Sequence, residues 1–289
     1  MRYFLILIIS VFTQLAIAKD ARINTEQFIS RISALEKTSG GHVGVSVISV
    51  EGNPLFLYRA NERFAMCSTF KVLLGAAILS RVDSSQESLD RSIPYKSSDL
   101  LDYAPITKSH LDAGQMTVSE LIAASIQYSD NTAANLLLDS LGGPKAFTDY
   151  LRSIGDKTTR LDRNEPSLNT NETGDLRDTS TPAAMAATLQ KILIGDALSP
   201  ASKEQLKIWM FGNTTGDSRI RAGFDKRWIV GDKTGSGANG ASNDVAIVFP
   251  RTASPFIIAV FYTGSTASAD QKNAVVAEAA RIAGDILLK

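Results

Sequence analysis

The order of strand-like and helix-like segments constrains this chain more than any single residue does. Strand patterning is confined to the two ends, and a long helical stretch separates them. His42 to Val50 alternates and is rich in valine, which reads as a strand. Glu51-Gly52-Asn53-Pro54 is a turn, and Leu55 to Tyr58 returns antiparallel to the first strand. Near the other end, Trp228 to Gly231, Asp244 to Phe249 and Phe256 to Thr263 are short β-rich runs separated by turn residues. An isolated hairpin is marginal in water, so these distant segments need one another. The simplest arrangement is a five-stranded antiparallel sheet built from both ends of the chain. Two amphipathic helices, Ile23 to Leu35 and Ala274 to Leu288, are placed to cover it. The expected fold class is therefore α/β in the α+β sense, in two domains. Residues 19–62 and 212–289 form the sheet domain, and residues 63–211 an inserted all-helical domain.

Within the insert, Ser68 to Leu79 is apolar nearly all round and marks a buried helix. Thr117 to Ser125 and Asn131 to Leu138 are further helices, the second stopped by Gly142-Gly143-Pro144. Thr181-Pro182 opens another, which runs through Ile194 and ends at Gly195. Thr159 to Thr179 is polar, carries Pro166 and Gly174, and has no period. A loop that long inside a compact domain is more often functional than idle.

Export is expected from the first residues. Met1-Arg2, the apolar run Phe4 to Leu15 and Ala16-Ile17-Ala18 resemble a signal peptide, with cleavage after Ala18 and a periplasmic or secreted product. The run is short for a membrane span, so no membrane association is expected after cleavage. Thirty basic residues balance thirty acidic ones without like-charge blocks, which disfavours nucleic acid or an anionic surface as partner. A small molecule and a monomer are the expected partner and state. Cys67 is the single cysteine, so no internal disulfide forms. His42 and His110 are far apart and lack ligand spacing, so no metal or other cofactor is expected. A serine–histidine–acid triad would have to use one of those two.

Ser68-Thr69-Phe70-Lys71 opens the buried helix, and the i, i+3 spacing brings serine and lysine to one face. A lysine whose proton affinity is lowered by burial can take a proton from a neighbouring hydroxyl. The helix N-terminus adds free N–H groups suited to an oxyanion. The bland alternative is a helix-capping serine with an unrelated lysine. Ser129-Asp130-Asn131 stands at a loop-to-helix junction, where Asp130 could simply be a cap. Lys233-Thr234-Gly235 lies at the end of a strand, followed by Ser236-Gly237, and the polar loop carries Glu165-Pro166-Ser167-Leu168-Asn169.

With these four motifs in order, the mature chain resembles the class A serine β-lactamases over essentially its whole length, with the β-lactamase/transpeptidase-like fold. The resemblance implies hydrolysis of the β-lactam amide bond of penicillins and cephalosporins, and so antibiotic resistance. It implies Ser68 as nucleophile, Lys71 as proton acceptor or relay, and Ser129 as donor to the departing nitrogen. Glu165 with Asn169 would activate the water that deacylates; whether Lys71 or Glu165 is the acylation base stays open. Lys233 and Thr234, with Gly235 of the same motif, would engage the substrate carboxylate. The N–H groups of Ser68 and Ser236 would form the oxyanion hole, Asn131 would bind the acylamide, and Tyr103 would line the cleft.

The same resemblance implies an Arg163–Asp178 salt bridge at the loop's neck and a cis Glu165–Pro166 bond. Some relatives carry an arginine shortly after KTG; here Asn239 to Asp244 has none, and Arg219 is expected to supply that charge, with Arg221 a structural bystander. Gly237 stands where carbapenem-hydrolysing relatives bridge a cysteine to the position of Cys67, so that bridge is absent. Two rivals fit part of the pattern. A penicillin-binding DD-peptidase shares the serine–lysine and KTG-like motifs without the Glu165/Asn169 water station. A penicillin sensor stalls as acyl-protein and is normally joined to a membrane-spanning segment.

Overall fold

The computed structural model describes residues 24–287. The expected signal sequence, its cleavage site and the span 1–18 lie outside the described residues. The strands are β1 (His42–Ser49), β2 (Pro54–Tyr58), β3 (Phe64–Ala65), β4 (Ser92–Pro94), β5 (Gln115–Thr117), β6 (Thr179–Ser180), β7 (Ile229–Ser236), β8 (Ser242–Phe249) and β9 (Phe256–Thr263). The helices are α1 (24–39), α2 (Phe70–Asp83), α3 (Pro105–Ser109), α4 (Val118–Gln127), α5 (Asn131–Leu141), α6 (Gly143–Ser153), α7 (Pro182–Leu193), α8 (Pro200–Phe211) and α9 (Ala269–Leu287).

The main sheet has five strands in the order β2-β1-β9-β8-β7, antiparallel throughout. The two chain ends meet along β1 and β9, in register from His42–Thr263 to Ser49–Phe256. Successive side chains on a strand point to opposite faces, and here both faces are covered. Ala246, Val248, Ile258 and Val260 pack under α1 and α9 with Phe28, Ile32 and Val276. Val245, Ile247, Ile257, Ala259 and Phe261 face the helices on the other side, with Leu73, Met185 and Leu189. Two-sided burial is why β8 and β9 read as continuous apolar runs. The small residues of β1 have a packing cause: a Cβ on Gly44 would stand 2.5 Å from the Phe64 ring and 2.8 Å from Pro182.

On the helical side α2 is buried through Leu79, as its all-round apolar sequence predicts. A 3₁₀ turn, Cys67–Thr69, leads into it and carries Ser68. Gly142 ends α5 with φ 107°, a left-handed conformation suited to glycine. The structure also shifts several boundaries. β7 continues past the expected end at Gly231 to Ser236, because it pairs with β8 as far as Ser236–Ser242. Polar Lys233, Thr234 and Ser236 therefore lie within an edge strand, where patterning alone signals a strand's end. α9 starts at Ala269 and not at Ala274, capped by Ser268 and Gln271 exchanging bonds. The polar loop holds one 3₁₀ turn, Ser167–Asn169, and its end is clipped down where β6 pairs with β3.

Candidate active site

A cleft of about 360 Å³ lies between the outer edge of β7 and the helical block, lined by Ser68, Tyr103, Ser129, Asn131, Asn169, Thr215, Arg219, Thr234, Gly235 and Ser236. Nine of the twelve expected site residues, Ser68 among them, thus line one cleft; Lys71, Glu165 and Lys233 are buried beside it.

Ser68 sits one residue after a strained position, for Cys67 has φ +47° without being a glycine. The Ser68 hydroxyl donates to Glu165 Oε1 at 3.2 Å. Lys71, one turn on, points the same way: its Nζ lies 3.2 Å from Glu165 Oε1, 2.6 Å from Asn131 Oδ1 and 2.7 Å from Ser129 O. Burial pushes the Lys71 ammonium below its ordinary proton affinity, while the Glu165 carboxylate pulls it back up. The Lys71–Glu165 pair is fully enclosed, and the extra acceptors around Nζ offset the cost of burying charge.

Asp130 is indeed a cap, and more. Its Oδ1 accepts from Ala133 N at 2.9 Å, and its Oδ2 accepts from the backbone of Ile106 and Thr107, each at 2.9 Å. That carboxylate ties α5 to α3, while Asn131 N donates to Tyr103 O at 3.0 Å. Ser129, at φ +58°, is thereby held with its Oγ between two cations, 3.4 Å from Lys71 Nζ and 3.2 Å from Lys233 Nζ.

The polar loop brings Glu165 in across a cis Glu165–Pro166 bond. Asn135 of α5 clamps the Glu165 backbone from both sides, donating to its carbonyl at 2.9 Å and accepting from its N–H at 3.0 Å. Asn169 donates to Glu165 Oε2 at 2.5 Å, and its own Oδ1 is buried without a protein partner. At the neck, Arg163 Nε meets Asp178 Oδ2 at 2.6 Å, the expected bridge.

β7 supplies the far wall. Lys233 is fully buried, and burial together with the nearby Lys71 charge lowers its pKa to about 7. Thr234 Oγ1 touches Thr215 Oγ1 at 2.5 Å. Thr215 in turn must donate to Asn213 Oδ1 (2.8 Å), since that oxygen already accepts Thr215 N–H at 3.1 Å. Arg219 donates through Nη1 to Gly235 O and Asn243 O, through Nη2 to Ser236 Oγ, and through Nε to Asn273. A guanidinium carries five N–H donors, so Nη2 keeps one N–H beside the cleft. Arg221 pairs with buried Asp232 at 2.5 Å, away from the cleft lining, which fits a structural role.

Neither histidine reaches Ser68: His42 pairs with Glu62 at 2.5 Å on the surface, and His110 bonds Ile106 O and Ser109. Among the described residues no cluster of metal-ligating side chains occurs. Cys67 is a buried free thiol, its Sγ 2.6 Å from where a Cβ on Gly237 would stand. Sequence reasoning missed Asn135, Asn213, Thr215 and Asn243, all lone polar residues whose partners come from other elements. Asn135 lies one helical turn after Asn131, Asn213 and Thr215 share the Gly-Asn-Thr-Thr-Gly turn before Arg219, and Asn243 lies in the run after KTG, so position was the available signal.

The comparisons agree with this geometry. The model of the Beta-lactamase enzyme family matches residues 27–287. Beta-lactamase Toho-1 of Escherichia coli is 48% identical over 252 residues, covering 87% of this chain and 86% of its own. Beta-lactamase CTX-M-8 of Citrobacter amalonaticus is 49% identical over 255 residues, covering 88% and 87%. Among solved structures, an ancestral class A β-lactamase aligns with TM-score 0.87 at 53% identity, covering 89% of this chain and 99% of its own. The putative class A β-lactamase PenP of Rhodopseudomonas palustris gives TM-score 0.87 at 48% identity, covering 89% and 98%. With the expected sheet, cleft and relatives in agreement, the chain belongs to the class A β-lactamase family, hydrolases of the β-lactamase/transpeptidase-like fold.

Proposed function

We propose that this protein opens the β-lactam ring of penicillins and cephalosporins through an ester on Ser68, which water activated by Glu165 then hydrolyses, conferring resistance. The observation that carries this is the Glu165 carboxylate: Oε1 touches both Ser68 Oγ and Lys71 Nζ, and Oε2 touches Asn169. One group is thus in reach of the nucleophile's proton and of a water held by the unpartnered Asn169 Oδ1. The direct Ser68–Glu165 bond favours the carboxylate as acylation base, with Lys71 stabilising the charge that develops.

Position in the cleft supports the remaining roles. Ser129, between Lys71 and Lys233, passes a proton to the departing lactam nitrogen. Lys233, Thr234 and Gly235 receive the substrate carboxylate, and Arg219 adds its charge and its spare N–H. The backbone N–H groups of Ser68 and Ser236 receive the oxyanion, where such donors contribute most. Asn131 binds the acylamide and Tyr103 covers the cleft mouth. The division into a sheet domain (19–62 and 212–289) and a helical domain (63–211), export to the periplasm or medium, and a monomeric state belong to the same reading. No described helix is long and apolar enough to cross a membrane.

Glu165→Ala tests the mechanism. Mixed with a penicillin, the variant retains the opened drug's mass on the Ser68 peptide, while the parent turns over many equivalents of nitrocefin. Deacylation as fast as the parent's would sink the proposal.

A further inference from the structure

Two backbone segments must stand at a fixed spacing for the oxyanion site of the proposed reaction: the turn Cys67–Thr69 and the end of β7. Each segment depends on contacts with the rest of the structure. Cys67 is left-handed at φ +47°, a conformation that costs energy for a residue with a Cβ and persists only where the surroundings impose it. β7 is an edge strand of the sheet, held by β8 on one side and by no other strand among the described residues.

One buried side chain lies where the two meet. Asn243 on β8 is 1% exposed and pairs directly with Gly235 on β7. Its Nδ2 donates to Ala65 O at 2.8 Å and to Met66 O at 3.2 Å, the two carbonyls that precede Cys67. Its Oδ1 accepts from Tyr262 N at 3.3 Å, which fixes the amide's orientation. Its main-chain oxygen accepts from Arg219 Nη1 at 2.6 Å, and the same nitrogen holds Gly235 O at 2.8 Å while Nη2 holds Ser236 Oγ at 2.6 Å. Contact between the segments is close as well: a Cβ on Gly235 would stand 2.6 Å from Met66 O. The turn is also anchored by Met66 N on Asp178 O at 2.9 Å and by the pairing of β3 with β6, both on the end of the polar loop and not on the five-stranded sheet.

We propose that Asn243 is a positioning residue for the oxyanion site: by gripping Ala65 O and Met66 O from β8, it sets the distance between the N–H of Ser68 and the N–H of Ser236. This rests on the reading of those two N–H groups as the oxyanion donors. Asn243 touches neither substrate nor nucleophile. Its effect is on transition-state stabilisation and not on substrate capture, since the Lys233 and Thr234 side chains do not depend on its amide. Loss of a single oxyanion donor costs about 10²–10³ in kcat. Displacement of one donor costs less, about 10- to 100-fold.

The test is Asn243→Leu, of similar volume but without the amide, with Asn243→Ser as a smaller variant should the first fail to give a cooperative thermal transition. Rates are normalised to Ser68 sites titrated by acylation, which removes any loss through misfolded protein. The expected result is a fall in kcat of about 10-fold or more with KM changed less than about threefold, and a rise in the Ki of phenylboronic acid, a mimic of the tetrahedral anion, by the same factor as kcat/KM falls. A purely structural role would lower the thermal midpoint and the titre while leaving kcat per titrated site and the boronate Ki alone, and that outcome overturns the proposal. If Ser68 is not acylated in the parent protein, the oxyanion reading itself has failed, which is a distinguishable result.

Discussion

The neck of the polar loop gives a perturbation whose size can be worked from the contacts. Asp178 is wholly buried, and its carboxylate is used on both oxygens: Oδ1 takes the N–H groups of Asp162 at 2.7 Å and Arg163 at 2.9 Å, and Oδ2 takes Arg163 Nε at 2.6 Å. Asp178→Asn keeps the shape and the two backbone bonds but sets an amide NH₂ against the guanidinium. A charge-assisted bond worth about 1.5–3 kcal/mol is lost, and two donors then face each other. Breaking a buried pair costs about 3–5 kcal/mol; the Arg163 side chain is 18% exposed, so solvent recovers part of this and about 3 kcal/mol is the working figure. For a domain of this size that is a fall of about 6–12 °C in Tm, at about 2–4 °C per kcal/mol. Because the same loop carries Glu165, kcat should fall about tenfold or more, with acyl-enzyme accumulating under steady state. Thermal unfolding by circular dichroism and stopped-flow turnover of a penicillin read the two effects. Arg177→Ala is the internal control, since the Arg177–Asp175 pair is solvent-facing on the arginine side and exposed pairs contribute about 0–1 kcal/mol. An Asp178→Asn protein that melts within about 2 °C of the parent and turns over normally would refute the assignment of the neck as the loop's support.

Other outcomes follow from the same contacts. Gly237→Ala places a Cβ 2.6 Å from Cys67 Sγ and 2.8 Å from Asn169 O, so it should destabilise by about 1–3 kcal/mol, and Cys67→Ala in the same chain should restore part of it; strict additivity of the two would show the thiol gives way freely. The Cys67 thiol, pushed up to about 12 by burial, should be inert to a disulfide reagent at pH 8 in the folded protein and react once unfolded. Rapid native labelling would contradict that burial. Lys233, lowered to about 7, loses its charge as pH rises through that value in the empty enzyme, so kcat/KM for carboxylate-bearing substrates should fall above about pH 7 while kcat falls later, because the bound anion favours the ammonium. A profile of kcat/KM flat across that range would refute the role of the Lys233 charge in capture.

Much of this protein is local and was readable as such. The i, i+3 geometry of Ser68 and Lys71, the capping of α5 by Asp130 and the glycine stop after α5 are each dictated by short-range rules of backbone geometry and pattern. Even the neck pair Arg163–Asp178 spans a single loop, and the motif resemblance implied it. The strand carrying Lys233 was misjudged in length because polar residues on an edge strand facing a cleft look like a strand's end.

The residue types that the proposed acyl-enzyme requires, and the order of segments that must assemble into one sheet, were determined by the sequence alone. Backbone propensity and apolar periodicity act over a few residues and leave their marks there. Only the tertiary structure decided that Glu165 reaches Ser68 across 97 positions, that Lys71 is enclosed against that carboxylate, and that Asn243 grips the turn before Ser68 across 178 positions. Such contacts exist because close packing brings buried polar groups together and each must then find a partner. A lone asparagine in a strand carries no sign of that until its neighbours are known.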